Sequence, residues 1–546
     1  MNTRHPLTPI ALAALFALAA CGGGSGDDTA SAPTPPADSP PGATALSVSG
    51  TADGGAAIAA APVAIKCATG TGSASTGADG RFSTTITGAV APCVIEVTSS
   101  GSSLHSVFAA GSTTANVTPL TELLTAQLAG SSASALFTTF DGAAQAKVTA
   151  AGIAKAETDL TAALKSKVDL VGLHPLTGDA AAGTTLDQRL DALAASLAAA
   201  RLTTAQLAAA LVANPGSPAP VQTILQTASA ACAGLRSGRY RTIDPLGTDL
   251  AFNTQVVEVD AVALTVKESD GLLNTLVDTG NCSFGLDGNT LLVAQSGFGV
   301  FRPPAALSSG KGFSIAMPEQ ALALSELAGT WNYVSYYRDA PIQPFMPSAG
   351  YFTLDPTGKV SNNFECIGRA ICTPAGSAAN VTVNPAGGFQ VVASDGTLRI
   401  FAYKTGSGAI TAAMLESGQR GIILATLQAA RTLPAVGDVN RSRSFSINST
   451  GVASALSGDD TRTVTSVDAA AQSYSRTRQS DGSIDGFSIN SPRTGMFYRP
   501  ASVSPVNGGG TINISEILLL PLPGGASVFT SATAPNNFFG LSVNHP

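Results

Sequence analysis

The side chains that most often carry out acid–base or nucleophilic catalysis are few in this sequence. Three histidines lie beyond the first twenty residues: His105, His174 and His545. A Ser-His-Asp triad would have to use one of them, because an imidazole must take the proton of the nucleophile. The sequence contains no Gly-x-Ser-x-Gly, no phosphate-binding loop and no His-Glu-x-x-His. We therefore predict a protein that is not an enzyme and has no catalytic residues.

One acidic turn has the spacing of a calcium site. Residues 481–486 read Asp-Gly-Ser-Ile-Asp-Gly, as in the first half of a calcium loop, but position twelve is Pro492. The glutamate that would bind calcium through both oxygens is therefore missing. We interpret the segment as a hairpin turn, and we expect no metal site and no cofactor.

The cysteines predict disulfide bonds. Six of them lie beyond Cys21, and six cysteines allow fifteen pairings. A metal site is disfavoured because the sequence has no Cys-x-x-Cys and few histidines. Each structural bridge is expected to contribute about 2–4 kcal/mol to stability, least for the shortest loop. The alternative for Cys366 and Cys372 is a redox-active pair. The simplest pairing joins neighbours along the chain: Cys67–Cys93, Cys232–Cys282 and Cys366–Cys372.

The N-terminus predicts export. Arg4 is followed by an apolar stretch from Leu7 to Ala20, which is typical of a secretory signal peptide in residues 1–20. Residues 18–21, Leu-Ala-Ala-Cys, match all four positions of the lipobox of bacterial lipoproteins, which they resemble. The resemblance implies that Cys21 is acylated and anchors the chain in a membrane. Gly22 after the cysteine implies sorting to the outer membrane of a Gram-negative type of cell envelope.

The predicted export signal and the composition indicate the cellular compartment of the protein and the class of partner that it binds. An exported chain enters an oxidising compartment, in which disulfides persist. Residues 21–45 are rich in Pro, Ser, Thr and Ala, and we expect a lipidated flexible tether. Only 12% of the residues are charged, the net charge is −7 and there is no basic block, which argues against nucleic acid as a partner. The 546 residues allow about three or four domains.

Residues 46–115 predict a small β-sandwich. Short alternating strands are separated by turns such as Asp79-Gly80, where glycine supplies the positive φ of a tight hairpin. The runs at residues 48–51 (Val-Ser-Gly-Thr), 62–65 (Pro-Val-Ala-Ile) and 76–82 (Thr-Gly-Ala-Asp-Gly-Arg-Phe) resemble the carboxypeptidase regulatory-like, transthyretin-like sandwich, an immunoglobulin-like architecture. The resemblance implies a structural or spacer module.

Residues 116–230 predict a packed helical domain. Thr118 can cap a helix that has Pro119 at its first position. Thr203 and Gln206 have the spacing of a capping box for a later helix. A leucine stripe between these two helices requires an apolar core to pack against. It consists of Leu186, Leu190, Leu193 and Leu197.

Residues 231–546 predict antiparallel β structure, either a barrel or a sandwich. We divide them into one β module at 231–318 and a barrel-like module at 319–546. A weak repeat supports two modules. Gly-Arg-Tyr at 238–240 and Gly-Thr-Trp at 329–331 open them, while Gly299–Pro303 and Gly495–Pro500 close them. The chain as a whole is thus expected to be a multidomain α+β protein.

The Gly-Thr-Trp start also resembles the opening strand of lipocalins. The resemblance implies a ligand-holding barrel in which Arg499 stacks on Trp331, and these two are the candidate ligand-binding residues. We therefore expect an outer-membrane lipoprotein whose C-terminal β region binds an apolar or amphipathic ligand or a protein of the cell envelope. The alternative is a structural or adhesive surface protein with no enclosed ligand.

Overall fold

The computed structural model describes residues 45–246, 253–302, 312–338, 343–367, 369, 371–375, 379–393, 396–416, 421–532 and 538–545. The predicted signal peptide, Cys21 and all of the tether except Ala45 lie outside the described residues. Strands make up 46% of the structure, and the α-helices are confined to one region of the described chain. This confirms the predicted multidomain α+β fold with sandwich and barrel regions.

The first region is a β-sandwich. A two-stranded sheet, formed by β1 and β4, faces a four-stranded sheet with the strand order β3-β2-β5-β6. Val48, Ile65 and Phe82 are buried in the core between the sheets. Parallel bridges extend the smaller sheet as far as Val117. The strands are β1 Ala45–Thr51, β2 Pro62–Thr69, β3 Thr71–Ser75, β4 Arg81–Thr87, β5 Val90–Ser99 and β6 Ser102–Phe108.

The helical region packs directly on this sandwich. Val94 and Val107, on the outer face of the larger sheet, belong to the same apolar core as the helices and the predicted leucine stripe. Thr118 caps α1 with Pro119 in its first turn, and Thr203 and Gln206 form the capping box of α6. The helices are α1 Pro119–Ala129, α2 Ala133–Thr138, α3 Gly142–Gln145, α4 Ala150–Leu164, α5 Thr185–Ala200, α6 Thr204–Ala213 and α7 Pro218–Ile224.

Within the described chain, no single helix has the length and hydropathy of a membrane span, although α5 and α6 pass that test as a pair bent by 88°. Arg236 lies between α7 and β7, and its Nη1 donates to three backbone carbonyls, those of Ala200, Ile224 and Gln226. Carbonyls near helix ends need such external donors. Arg236 therefore joins the helices to the β region that follows.

The next region is a nine-stranded sheet in the order β10-β9-β8-β7-β15-β14-β13-β12-β11. Its two edge strands, β10 and β11, are joined by the single residue Leu276. The edges must therefore lie side by side, and the sheet is curled into a barrel that is open along one seam. We call it the first split barrel. Its strands are β7 Gly238–Ile243, β8 Thr254–Asp260, β9 Thr265–Lys267, β10 Leu273–Thr275, β11 Val277–Gly280, β12 Ser283–Leu286, β13 Asn289–Val293, β14 Gly299–Arg302 and β15 Ser314–Pro318.

A second nine-stranded sheet repeats this topology, in the order β19-β18-β17-β16-β24-β23-β22-β21-β20. A short 3-10 helix, Leu324–Leu327, leads into it. Lys359 forms an antiparallel bridge with Asn380, and the carbonyl of Gly358 accepts a hydrogen bond from the backbone of Val381, so the start of β18 lies beside the start of the edge strand β20. We call it the second split barrel. Its strands are β16 Gly329–Tyr337, β17 Met346–Leu354, β18 Val360–Ile367, β19 Ile371–Pro374, β20 Val381–Val383, β21 Phe389–Ala393, β22 Gly396–Lys404, β23 Ile410–Glu416 and β24 Gly421–Leu427.

The last region is an eight-stranded closed barrel in the order β25-β26-β27-β28-β29-β32-β33-β34. The hairpin of β30 and β31 projects from it and contacts β28. The strands are β25 Val439–Asn448, β26 Asp460–Asp468, β27 Ser473–Arg478, β28 Ile484–Ile489, β29 Phe497–Arg499, β30 Ser502–Pro505, β31 Thr511–Ile514, β32 Ile517–Leu522, β33 Ala526–Ser531 and β34 Phe538–Asn544.

The three barrels share one hydrophobic core. It contains side chains from the outer faces of both split barrels, such as Ile315 and Leu424, together with Phe539 of the closed barrel. Rings from different barrels meet there: the centroids of Phe313 and Phe539 are 5.6 Å apart, and those of Tyr336 and Phe539 are 5.4 Å apart. Because successive residues of a strand face opposite sides, the other face of each strand lines the interior of its own barrel.

Two details of the predicted β organisation are wrong. The segment 319–546 holds two separately hydrogen-bonded units, because β24 pairs with β16 and completes the second split barrel at Leu427. The opening half of the repeat is real: β7 and β16 begin at Gly238 and Gly329, and both have a positive φ. The closing motifs of the repeat do not correspond in the structure. Gly495–Pro500 belongs to the closed barrel, whereas Gly299–Pro303 begins with β14 of the first split barrel.

The six described cysteines form three disulfides, in the pairs that neighbour pairing predicts. Cys67–Cys93 joins paired strands of the sandwich, and Cys232–Cys282 ties the segment before β7 to the loop before β12. Cys366–Cys372 crosses the hairpin of β18 and β19. Each bridge therefore lies within one structural region.

Candidate ligand-binding site

The first split barrel contains a cavity of about 410 Å³. Side chains along each strand alternate between the inside and the outside of the barrel. Tyr240 and Thr242 of β7 point inward, and Val257 of β8 is the register partner of Tyr240. Leu276, which joins the two edge strands, closes part of the wall and is only 2% exposed. Further apolar lining comes from six strands and from the segment before β7: Leu235, Val259, Val266, Leu286, Leu291, Val293, Phe301 and Ala316.

One end of the cavity is polar. Two carboxylates, Asp244 and Glu268, lie among the lining residues. Glu268 accepts hydrogen bonds from Asn274 at 2.7 Å and from Gln255 at 3.4 Å, which fixes its orientation. No lysine or arginine occurs among the described residues that line the cavity. The site thus combines an apolar wall with a polar end of negative charge.

The interior of the second split barrel is filled by aromatic side chains. Trp331 is buried and stacks on Phe352, with ring centroids 6.0 Å apart and planes inclined by 6°. Its indole nitrogen donates to the carbonyl of Leu327 at 2.9 Å. Tyr333 and Phe389 belong to the same core. Trp331 is therefore a core residue here, and the cavity lies in the other split barrel.

Arg499 does not meet Trp331. Strand β29, which ends at Arg499, belongs to the closed barrel, so the predicted stacking pair is wrong. The guanidinium of Arg499 instead lies over Phe487, 5.8 Å from the ring centroid, and its Nη1 is 3.2 Å from Oδ2 of Asp485. Three residues from the lipocalin pattern could not specify which strands close on each other.

Asp485 is the centre of an arginine cluster inside the closed barrel. Its side chain is 1% exposed, and Arg476 binds both of its oxygens, at 2.7 and 3.2 Å. Nη1 of Arg462 lies 3.0 Å from Oδ2. Burial by itself raises the pKa of Asp485, but the charges of Arg476, Arg462 and Arg499 outweigh it and lower the pKa below the usual 3.8. The cluster is an ion-pair network that keeps this carboxylate charged.

The three histidines are distributed over separate regions. His105 is buried where the sandwich meets α1, with Nδ1 2.8 Å from Glu122 and Nε2 3.2 Å from Glu96. Burial lowers its pKa, but the two carboxylates outweigh that effect and raise the pKa above 6.5. His174 contacts Glu157 at 3.1 Å, and His545 lies 3.3 Å from Asp459. Each histidine is paired with a carboxylate.

The acidic turn at 481–486 is a hairpin turn between β27 and β28, as interpreted from its sequence. Asp481 accepts hydrogen bonds from the backbone and hydroxyl of Ser483 and pairs with Arg478 at 3.2 Å. Asp485 points into the barrel, toward the arginines. Across the described ranges, no group of three or more His, Cys, Asp and Glu residues is arranged to hold a metal ion.

Sequence reasoning missed the cavity residues. Tyr240 was identified only as part of a repeat, and the polar lining residues were not singled out at all. The available signal was the alternation of Tyr240 and Thr242 with Arg239 and Arg241 on the opening strand. That alternation indicates two faces, but it does not say which side chains on the other strands leave a space between them.

Two solved structures resemble this chain remotely. No protein-family model matches the chain, and no curated protein sequence matches it. A solved structure of a double mutant of transferrin binding protein B, a vaccine antigen from Haemophilus parasuis, is 7% identical, with a TM-score of 0.15 over 54% of this chain and 65% of that chain. A protein of unknown function from the DUF3598 family of Nostoc punctiforme is 12% identical, with a TM-score of 0.11 over 41% of this chain and 100% of that one. At these values neither likeness supports an assignment of fold or function.

Proposed function

We propose that this protein is a lipoprotein anchored in the outer membrane through Cys21, and that its first split barrel binds a small apolar or amphipathic molecule without catalysing a reaction. The cavity of about 410 Å³ is the observation that carries the proposal. Ligand sites commonly have volumes of about 300–1,000 Å³ and mostly apolar walls with a few polar groups. A purely structural or adhesive role would not require such a cavity.

The polar end of the cavity restricts the class of ligand. The carboxylate of Glu268, which lines this end, repels an anionic head group. A neutral or cationic amphiphile places its chain against Val257 and Leu291 and its polar group near Glu268. We therefore expect preference for a neutral or cationic amphiphile over a fatty acid.

Native mass spectrometry of residues 46–546, exported behind a signal peptide without a lipobox and purified without detergent, tests ligand binding directly. We expect an additional mass that solvent extraction removes. The extracted protein should then bind the neutral fluorophore N-phenyl-1-naphthylamine, and dodecyltrimethylammonium should displace it better than laurate does. No additional mass together with no fluorophore binding would refute the proposed ligand site.

The lipid anchor requires a separate test, because it does not depend on the cavity. Globomycin, which blocks the peptidase that cleaves lipoprotein signals, should cause the longer precursor to accumulate in cells. The variant Cys21→Ser should leave the outer-membrane fraction. Retention of that variant in the outer-membrane fraction would contradict anchoring through Cys21.

A protein partner is the second candidate, and exposed apolar residues at the seam of the first split barrel favour it. Leu272, Leu273 and Val277 are 56%, 62% and 60% exposed, beside the two edge strands. Edge strands offer unpaired backbone groups that another chain can bind. Crosslinking at position 277 in cells should capture one envelope protein if this seam is an interface, and Leu273→Lys should reduce that capture.

A further inference from the structure

The Cys366–Cys372 disulfide lies at an edge of the second split barrel. The two residues are register partners in the hairpin of β18 and β19, and β19 is an edge strand of the sheet. Cys366 is 1% exposed, whereas Cys372 is half-buried. An external thiol therefore has better access to Cys372 than to Cys366.

An arginine of the closed barrel contacts the sulfur atoms. Nη1 of Arg493 lies 3.1 Å from Sγ of Cys366 and 3.6 Å from Sγ of Cys372. Its other terminal nitrogen, Nη2, donates to Sδ of Met496 at 3.1 Å, and the guanidinium lies over Tyr351, 5.0 Å from the ring centroid. These contacts fix a positive charge closer to Cys366 than to Cys372, because a guanidinium stays protonated in proteins.

The other two disulfides have different surroundings. Cys67 and Cys93 belong to the hydrophobic core of the sandwich, and Cys232 and Cys282 belong to that of the first split barrel. Apolar surroundings disfavour a thiolate, whereas a neighbouring cation favours it. The Cys366–Cys372 loop spans 6 residues, against 26 and 50 for the others, so this bridge constrains the unfolded chain least.

We propose that Cys366–Cys372 is a thiol–disulfide exchange site, at which a low-molecular-weight thiol attacks Cys372 and Arg493 stabilises the departing Cys366 thiolate. The attacking thiolate forms a bond to Sγ of Cys372 while the bond between the two cysteine sulfurs breaks. The electron pair of that bond remains on Sγ of Cys366. The products are a mixed disulfide at Cys372 and a thiolate at Cys366, so the step is balanced without an added oxidant or reductant. Exchange is faster when the leaving thiol is the more acidic one.

The test uses the full-length oxidised protein, with reduced glutathione as the attacking thiol. Samples are quenched with N-ethylmaleimide at successive times, and the cysteine peptides are identified by mass spectrometry. We expect Cys366–Cys372 to react at least tenfold faster than either of the other bridges. Glutathione should be found on Cys372, and the maleimide on Cys366.

Variants of Arg493 separate an electrostatic role from a structural one. Arg493→Met should slow the exchange at Cys372 about tenfold, and Arg493→Lys should recover part of the rate because it keeps the charge. Arg443→Met is the matched control, since Arg443 pairs with Asp459 on the same barrel. It should leave the rate unchanged.

Three results would overturn the proposal. Equal reactivity of all three bridges, or glutathione on Cys366, would do so in the unmodified protein and needs no variant to fold. Faster exchange in Arg493→Met would show that Arg493 only holds the hairpin closed. None of these measurements depends on ligand binding in the first split barrel.

Discussion

The two split barrels have the same strand order and different interiors. In each, the first strand starts at a glycine with positive φ, and an aromatic residue two positions later points inward: Tyr240 in one and Trp331 in the other. The first barrel nevertheless contains an open cavity of about 410 Å³, whereas packed apolar side chains, Trp331 and Tyr333 among them, occupy the interior of the second. Topology therefore does not decide whether a barrel of this kind can hold a ligand.

Register pairing identifies the residues that make the difference. Thr242 pairs with Ala316 in the first split barrel, and Tyr333 pairs with Ala425 at the corresponding place in the second. The next strand supplies Gln255 opposite Thr242 and Gly350 opposite Tyr333. A Cβ on Gly350 would lie 2.2 Å from the Tyr333 ring, so that glycine is what admits the tyrosine. The comparison teaches that a few side-chain volumes convert one fold from filled to hollow.

The largest expected loss of stability follows from a substitution in the packed interior of the second split barrel. Trp331→Ala should destabilise the protein by about 3–5 kcal/mol, because it removes a fully packed aromatic side chain and leaves a cavity. Urea unfolding followed by circular dichroism measures the change, with Trp331→Phe as the milder control. A loss below about 1 kcal/mol would mean that the second interior is as loosely filled as the first.

The two split barrels should also differ in their dependence on disulfides. Replacing Cys232 and Cys282 by alanine should cost about 4 kcal/mol on the loop-entropy model, and replacing Cys366 and Cys372 about 2 kcal/mol. The reason is that the first bridge closes a loop of 50 residues and the second a loop of 6. The same unfolding measurement compares the two double variants. The opposite order would show that native-state packing, rather than chain entropy, governs these bridges.

A single substitution should fill the cavity of the first split barrel. Thr242→Tyr places a ring where the cavity now lies, and we expect binding of N-phenyl-1-naphthylamine to weaken at least tenfold. Fluorescence titration measures the affinity. Tyr333→Phe, which keeps the volume of the second interior, is the control and should bind the fluorophore as the unmodified protein does. Unchanged binding by Thr242→Tyr would place the ligand elsewhere.

The smallest expected effect on stability concerns the shared opening glycines. Gly238 and Gly329 have φ values of +136° and +142°, and alanine in this region is strained by about 1–3 kcal/mol. A Cβ on Gly329 would also lie 2.8 Å from Leu427, whereas the nearest atom to one on Gly238 is 3.9 Å away. Gly329→Ala should therefore be the more destabilising of the two in urea unfolding. A smaller cost for Gly329→Ala than for Gly238→Ala would contradict this.

Local sequence features predicted much of the fold correctly. Thr118 with Pro119, and Thr203 with Gln206, mark the starts of two helices because a cap satisfies backbone groups within one turn of itself. The leucine stripe of α5 is buried as its spacing requires. The hairpin turn at 481–486 and the opening glycine repeat were likewise readable, since each depends on a few neighbouring residues.

Only the tertiary structure decided where the cavity lies and which residues meet. Trp331 and Arg499 were expected to stack, but they belong to different barrels, because β24 closes on β16 well before Arg499 is reached. Asp485 meets Arg462 and Arg499 from strands distant in sequence, and Arg493 reaches Cys366 from another barrel. The sequence by itself determined the starts of two helices and the strand alternation, which are local properties, and the predicted export signal also rests on local sequence alone. Strand closure and the space left between side chains depend on long-range pairing, which alternation alone does not specify.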